Sequence, residues 1–318
     1  MTTPLSTILD RDEPVQNVRD HFCDQLEVMR DVVNYGSNLI PRCFESSPKG
    51  VADVVVIVAL LKQLVAMLDG VELHVSNAAV LASYVSLRAL YETHLYVSWV
   101  LRSDTDTRAR HYYVWSLRQR RKWDSRVIPG TKEHANFQHA LQHLPIFQSA
   151  SPNDQQRVEQ FQHEATQDVA QIDQLLNSPS YKAINDGFDN YWNRPYDPPW
   201  HAPCGVQSIR ALAEKLGLLH EYEVLYSSLS SVTHSSCFKQ HVAVQGNSIV
   251  FEPIRYLESI DFVLNLAFST SFRVYRQVLQ FYRPGEVENF NRKYIEEWRE
   301  AFTTIRRVSY TQKLQQQP

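Results

Sequence analysis

"VADVVVIVALLKQLVAML", residues 51–68, is the stretch that decides the fold, because it is almost entirely apolar. Lys62 stands near its middle, and the stretch only just reaches the length of a membrane span. A second apolar stretch follows at 79–101. The two stretches predict two long buried helices, at 51–68 and 73–102, separated at Gly70.

The second apolar stretch contains Arg88, Glu92 and His94. Such side chains are costly in lipid and are rare in membrane spans. No cluster of Lys or Arg flanks the first stretch either. We therefore assign both stretches to a protein interior and expect no membrane among the partners.

The composition of the 318 residues excludes several functional classes. Hydrophobic residues make up 43% and charged residues 21%, as in folded globular proteins, and the formal charge of −3 predicts no general attraction to nucleic acid. Only 9 glycines occur, and neither GxGxxG nor a P-loop pattern is present. The 4 cysteines form no CxxC pair, and the N-terminus has no signal-peptide pattern, so a cytoplasmic location is expected.

The remaining segments are mostly helical in pattern. We expect a helix over 15–35 with a turn at "YGSNLIPRC", and a polar helix capped by Ser151 with Pro152 as its first residue. The Gly246-Asn247 pair predicts a β-hairpin. The other predicted helices are 105–126, 205–216, 219–236, 256–282 and 286–308.

These elements predict a mainly α fold, a single large helical bundle with a small β-hairpin near 241–254. A partly helical inserted arm is expected near 131–200. The chain would then be one helical domain over 1–318, with its core at 51–126 and 205–308 and the arm and a Pro-rich loop at 131–204.

The stretch "YSSLSSVTHSS", 226–236, places polar side chains on one stripe of a helix. Tyr226, Ser230 and His234 are four residues apart and fall within an arc of about 80°. Arg88 and Glu92 have the same spacing on an apolar helix. Since a buried charge needs a partner, we predict that all five residues form one cluster. Glu92→Ala is then expected to cost about 3–5 kcal/mol, the range for breaking a buried pair.

Such a cluster has two interpretations. It can be a functional site, because perturbed titratable groups concentrate at sites, or it can serve only to fix the helix register. Ser230 and His234 could act as nucleophile and base, yet no GxSxG turn is present. His201 and Cys204 form HxxC without a second matching pair. We therefore expect no metal and no cofactor.

"RALYETH", from Arg88 to His94, fits the R-x(4–6)-H spacing of the HEPN-type all-α ribonucleases, which this segment resembles. In that superfamily the pair commonly forms a composite site across a helical homodimer. The resemblance implies metal-independent RNA cleavage, with His as acid or base and Arg on the phosphate. On a straight helix six residues separate the pair by about 120°, so one site would need a kink or a dimer partner. Ala89 stands where many members carry a polar residue.

A longer resemblance covers about 75–282. "SLRALYE", "SIRALAEKLG" and "YSSLSSVTHSS", followed by a hairpin and a closing helix, are similar to a bacterial domain family of unknown function, family five-six-seven-seven. The resemblance implies the fold and the site location rather than a reaction. The residues that carry it are Arg88, Glu92, Trp200, Arg210, Tyr226, Ser230 and His234.

Two further regions are candidates for substrate binding. Residues 108–126 hold seven Lys or Arg, including Arg120 and Arg121, interleaved with aromatics, a pattern that suits single-stranded RNA. Alternatively, these arginines are solvated or paired with the acidic stretch 153–173. Trp200 and His201, in the Pro-rich loop, are expected to close over the cluster as a lid.

The leading hypothesis is therefore a cytoplasmic bacterial protein with a HEPN-like RNA-cleaving or toxin role in phage defence, a step that rests on resemblance. The alternative is a non-enzymatic helical module that binds a partner or a small ligand through the same polar pocket. A small-molecule hydrolase or transferase is the third hypothesis. Arg88, Glu92, His94, Tyr226, Ser230 and His234 are the candidate catalytic residues, and Trp200, His201, Arg210, Arg120 and Arg121 are the candidate substrate-binding residues.

Overall fold

The computed structural model describes residues 9–47, 50, 54–142, 152–191, 197–245 and 248–308. These residues form α-helices and one two-stranded hairpin, so the prediction of a mainly α fold with a small hairpin is confirmed. In chain order the elements are α1 (Asp12–Glu45), α2 (Val56–Ser76), α3 (Val80–Arg102), α4 (Thr105–Asp124), α5 (Lys132–Leu141), α6 (Pro152–Leu176), α7 (Lys182–Tyr191), α8 (Ile209–Leu216), α9 (Leu219–Glu221), α10 (Ser227–Thr233), β1 (Val242–Gln245), β2 (Ser248–Phe251), α11 (Ile260–Tyr282), α12 (Val287–Lys293) and α13 (Arg299–Thr303).

The chain divides into two compact units. In the first, residues up to Asp104 join residues from Ile209 onward, and the second extends from Thr105 to Ser208. The boundary differs from the expected single domain at α4, which the sequence assigned to the core. In the structure α4 packs against α6 and α7 within the second unit, because its apolar positions are covered there.

The first unit is built around α1, α2, α3 and α11, which pack against one another. Gly36 of α1 lies where three of these helices meet. A Cβ at this position would be 2.1 Å from the Tyr275 hydroxyl oxygen and 2.7 Å from Val65 Cγ2. Tyr275 also donates a hydrogen bond to the Val32 carbonyl, 3.1 Å away. Within the described ranges, the helices include none with the length and apolar character needed to cross a membrane.

The predicted turn after residue 35 is wrong. Helix α1 continues through Pro41 to Glu45. Its buried stripe also continues, with Leu39 and Cys43 in the core, and this burial keeps the helix intact beyond Gly36.

The predicted break at Gly70 is also displaced. Helix α2 runs through Gly70 and ends at Ser76. The Asn77 side chain donates to the Leu73 carbonyl at 2.8 Å, and Ala78 has a left-handed φ of 55°. A side chain that bonds the last turn and a residue in the left-handed region together end the helix.

Helix α9 runs without interruption through a π turn, Tyr222–Tyr226, into α10. The sequence predicts one helix over 219–236, and the structure ends it at Thr233. His234 leaves the helical conformation, and Ser235 has a φ of 53°. The π turn adds one residue to a turn. The side chains after it therefore point in different directions from those that a regular α-helix would give.

Strands β1 and β2 pair antiparallel, with Val244 opposite Ile249 and Val242 opposite Phe251. Directly opposite residues share a face. The face that carries these four residues is largely solvent-exposed, since Val244, Ile249 and Phe251 are 69–75% exposed. The predicted turn residues Gly246 and Asn247 lie outside the described residues.

The second unit has its own small core, formed by Val114 of α4, Ile172 and Leu176 of α6, and Phe188 of α7. Helix α6 begins at Pro152, as predicted, while the predicted cap, Ser151, lies outside the described residues. The inserted arm of the prediction is therefore largely helical where the structure describes it.

Candidate polar site

Four of the predicted site residues meet in the first unit around Arg88. Its Nε donates to Glu92 Oε1 at 3.0 Å, and its Nη2 donates to the Tyr226 hydroxyl at 2.8 Å. Arg88 Nη1 lies 3.3 Å from His234 Nε2. Tyr226 in turn donates to Glu92 Oε1 at 2.7 Å, so the arginine, the carboxylate and the phenol form a closed ring of hydrogen bonds.

Each partner reaches this cluster for a local reason. Arg88 and Glu92 are one turn apart on α3, whose neighbouring residues Leu87 and Tyr91 are buried. Tyr226 closes the π turn, and His234 is the first residue after α10. The side chains of Arg88 and Glu92 remain 18% and 25% exposed, so the pair is partly buried rather than enclosed as expected.

The environment favours a charged Arg88 and a neutral Tyr226. Burial acts to lower the pKa of Arg88, but its hydrogen bond with Tyr226 and the charge of Glu92 outweigh this and raise it. Burial, together with the hydrogen bond to Glu92, raises the pKa of Tyr226 to about 12. Tyr226 is therefore protonated at neutral pH and donates its hydrogen bond to Glu92. The guanidinium also lies over its ring, with Cζ 5.0 Å from the ring centroid.

A cleft of about 460 Å³ opens beside the cluster. Tyr226, Ser230 and His234 line it, so Ser230 shares the site although it does not join the hydrogen-bond ring. Ser230 accepts the His234 backbone N–H through its carbonyl at 3.1 Å. Among the described contacts no side-chain hydrogen bond joins Ser230 to His234, so this geometry gives no support to a serine nucleophile.

Sequence analysis did not single out Tyr222, Ser227, Ser231 and Ser236, which also line the cleft. The Tyr222 ring stacks on Tyr226, with centroids 4.6 Å apart and planes at 17°. Its position four residues before Tyr226 was a usable signal, since it extends the same stripe by one turn. For the three serines, the sequence shows only that serine is frequent in this stretch, and nothing in it marks them as site residues.

His94 does not join the cluster. It is 1% exposed, and burial, with the charge of Arg273, lowers its pKa to about 3. Helix α3 is regular from Val80 to Arg102, so the separation of six positions from Arg88 to His94 turns the two side chains to different faces. The expected Arg88–His94 pair is therefore not assembled within one chain, and the HEPN-type resemblance stays a prediction.

The lid residues and Arg210 have other partners. Trp200 and His201 are each 1% exposed, and Trp200 packs edge-on against Tyr112 at 5.3 Å. Neither residue presents a free surface to a ligand in this conformation. Arg210 pairs with Glu223 at 2.8 Å, and both side chains are about half exposed at the surface of the first unit.

The two arginines expected to bind RNA are held by acidic side chains of the second unit. Arg120 contacts Asp168, and Arg121 donates to Asp173 at 2.5 Å. Both aspartates belong to α6, the acidic helix that the sequence offered as the alternative partner. These ion pairs oppose the predicted basic track for RNA, because the positive charges are already matched.

The described residues contain no group of three or more His, Cys, Asp or Glu arranged to hold a metal ion. His201 Nδ1 instead lies 2.6 Å from the Val206 carbonyl. Asp197, the nearby carboxylate, accepts from Arg118 at 2.7 Å and from Gln119 at 3.2 Å.

The cluster offers a defined set of chemical groups to a molecule in the cleft. Arg88 is a cation paired with Glu92, and Tyr226 is a neutral phenol that lines the cleft. His234 is exposed and lines the cleft. Four serines and Glu223 also line the wall, and Glu223 is paired with Arg210. This combination suits an oxyanion such as a phosphate group.

The fold and the site together define a helical domain with a partly buried cluster of Arg, Glu, Tyr and His. A family model described as a family of unknown function, DUF5677, matches residues 54–249. The match covers more than half of the chain and includes the seven residues on which the resemblance rested. The chain belongs to this family. No curated protein and no solved structure gave a significant match.

Proposed function

We propose that the serine-lined cleft binds a phosphate ester and that the polar cluster supports metal-independent cleavage of RNA. The observation that carries the proposal is the 3.3 Å contact between Nη1 of Arg88, which is not itself a lining residue, and Nε2 of His234, which lines the open cleft. One group can neutralise a phosphate, and the other can move a proton beside it. The toxin or phage-defence role rests on the HEPN-type resemblance, and the cytoplasmic location rests on the cysteine usage and the N-terminal sequence; both belong to the same proposal.

The reaction needs no group beyond this chain, the RNA and water. The ribose 2′-oxygen forms a bond to phosphorus as the bond to the 5′-oxygen breaks. His234 takes the 2′-hydroxyl proton, and water protonates the departing 5′-oxygen. Arg88 stabilises the charge that develops on the phosphate oxygens. The products are a 2′,3′-cyclic phosphate and a 5′-hydroxyl.

A second candidate is a non-enzymatic module that binds a small phosphate-bearing ligand or a partner through the same cleft. The ion pairs of Arg120 and Arg121 favour it, because they neutralise charges that a long RNA would use. A cleft of about 460 Å³ also has the size of a small-ligand site.

The test is cleavage of a 5′-labelled RNA by the purified full chain in EDTA, with product ends analysed for the cyclic phosphate. His234→Ala and Arg88→Ala should each lower the rate by at least about 10²-fold, the scale for losing an acid–base or charge-stabilising group. His220→Ala is the matched control. His220 lies on α9, is 75% exposed and is not a cleft residue, so its loss should leave the rate unchanged.

Two results would reject the ribonuclease. One is an absence of cleavage in EDTA and in Mg²⁺ alike, and the other is cleavage that survives His234→Ala. If wild type does not cut RNA but binds inorganic phosphate or a mononucleotide, and Arg88→Ala abolishes that binding, the binding module takes its place.

A further inference from the structure

A separate cavity of about 420 Å³ lies in the first unit and is lined in part by His94, Ser98 and Arg102 of α3. It shares no lining residue with the serine-lined cleft. Apolar side chains form much of its wall: Leu101, Leu216, Leu218 and Phe281. A concave, largely apolar space of this size with a few polar groups has the character of a small-molecule site.

His94 lines this cavity and, with Ser98, is one of two buried polar residues in its wall. The residue is 1% exposed, and its Nδ1 has no hydrogen-bond partner among the described residues. Buried polar atoms are normally satisfied, so an orphaned ring nitrogen beside a cavity indicates a group that the cavity would hold. Because its pKa is lowered to about 3, His94 contributes a hydrogen bond and no charge at neutral pH.

The other polar lining is positive or neutral. Ser98 donates to Gln277 at 2.8 Å, and no carboxylate is among the lining residues. Arg273 is neutralised by Glu221 through two hydrogen bonds, of 2.7 and 3.0 Å. Arg102 differs, because it is exposed and its described hydrogen bond goes to the Lys215 carbonyl rather than to an acid. Its positive charge is therefore available to an anion at the mouth.

We infer that this cavity is a second ligand site, which binds a small monocarboxylate with a compact apolar body. The apolar body would lie against Leu216 and Phe281, the carboxylate would pair with Arg102, and His94 would accept or donate one hydrogen bond from within. This inference is independent of the proposed ribonuclease activity, since it uses none of the cleft residues.

Calorimetric titration of the full chain with benzoate tests the site, with benzyl alcohol as the neutral counterpart. Benzoate should bind with a Kd of about 1 mM or tighter, and benzyl alcohol at least about tenfold more weakly. Arg102→Gln should weaken benzoate binding by at least about tenfold, the difference between a charged and a neutral partner. Arg276→Gln is the matched control, because Arg276 is exposed on α11 and does not line the cavity.

Leu216→Trp adds a filling test that leaves every polar group in place. Leu216 is only partly buried, so the larger ring should enter the cavity and abolish benzoate binding without unfolding the chain. Circular dichroism verifies that each variant is folded. The inference is overturned if wild type binds neither benzoate nor hexanoate at about 10 mM, well above the expected Kd. It is equally overturned if Arg102→Gln and Leu216→Trp bind benzoate as well as wild type does.

Discussion

Arg88 makes three polar contacts with one guanidinium group, and each contact comes from a different local feature. The four-residue spacing on α3 places Glu92 beside Arg88. The π turn brings Tyr226 to the guanidinium group, and the end of α10 brings His234 to it. Removal of one partner therefore affects the others. This coupling makes single substitutions at the cluster informative at the scale of one residue.

Glu92→Ala should destabilise the chain by about 1–2 kcal/mol, less than the 3–5 kcal/mol expected for an enclosed pair. The reason is the 18% and 25% exposure of the Arg88 and Glu92 side chains, which lets water solvate the charge left behind. Urea unfolding followed by circular dichroism measures the difference. Glu223→Ala, which breaks a half-exposed pair with Arg210, is the control and should change the free energy of unfolding by less than about 1 kcal/mol. A loss of about 3–5 kcal/mol, the range for enclosed pairs, would show that the cluster is sealed from water.

His94 predicts a particular acid sensitivity. Its pKa is near 6.5 in the unfolded chain and about 3 in the folded one, so between these values the unfolded state binds a proton that the folded state does not. The contribution of His94 is fully present above about pH 6.5 and is lost progressively as the pH falls toward 3. His94→Leu should therefore lose less free energy of unfolding than wild type between pH 7 and pH 5. Urea midpoints at the two pH values test this, and His220→Ala should behave like wild type.

At the level of single elements, the basic residues of α4 form ion pairs and hydrogen bonds that stabilise the second unit. Arg118 donates to Asn185 at 2.6 Å, to Asp189 at 2.8 Å and to Asp197 at 2.7 Å, and its side chain is 16% exposed. Although burial opposes it, these carboxylates raise the pKa of Arg118 and keep it charged. The charges of α4 are thus used to hold the second unit together.

Arg118→Ala should destabilise the second unit by about 1–3 kcal/mol, because Asp197, also 16% exposed, loses its charged partner. Arg110→Ala is the matched change on the same helix. It breaks a pair with Asp106, which is 61% exposed, and should cost less than about 1 kcal/mol. Hydrogen exchange of α4, α6 and α7 amides localises the effect. Equal losses in the two variants would contradict a supporting role for Arg118.

At the scale of the whole molecule, the close approach at Gly36 fixes how α1, α2 and α11 pack in the first unit. Gly36→Ala should destabilise it by more than about 2 kcal/mol, since the new methyl group overlaps the Tyr275 hydroxyl and Val65. In a Tyr275→Phe background the loss should be smaller, because the atom nearest to the new methyl is gone. A double-mutant cycle from urea unfolding measures this coupling.

Gly187→Ala supplies the control for this prediction. Gly187 lies within α7, and a Cβ there would meet nothing within 4 Å. Alanine should therefore stabilise the helix by about 0.5–1 kcal/mol through backbone entropy alone. If Gly36→Ala behaves in the same way, α1 does not pack as closely as the structure describes.

The sequence by itself determined the helical class, the hairpin and most of the polar cluster. Apolar periodicity predicts two long buried helices where α2 and α3 lie, although it does not give their bounds, and the four-residue spacing of Arg88 and Glu92 places both side chains on one side of α3. These features are local, so they can be read without knowing which elements meet.

Tertiary structure decided the rest, because it depends on contacts between residues far apart in the chain. Because Leu39 and Cys43 are buried, α1 continues beyond the expected turn. Acidic residues of α6 form ion pairs with Arg120 and Arg121. The opposite faces of α3 separated His94 from Arg88 and placed each in a different environment. Helical spacing determines which side chains share a face. Only the packing of the helices determines which other elements cover that face, and therefore which polar groups remain accessible to a ligand.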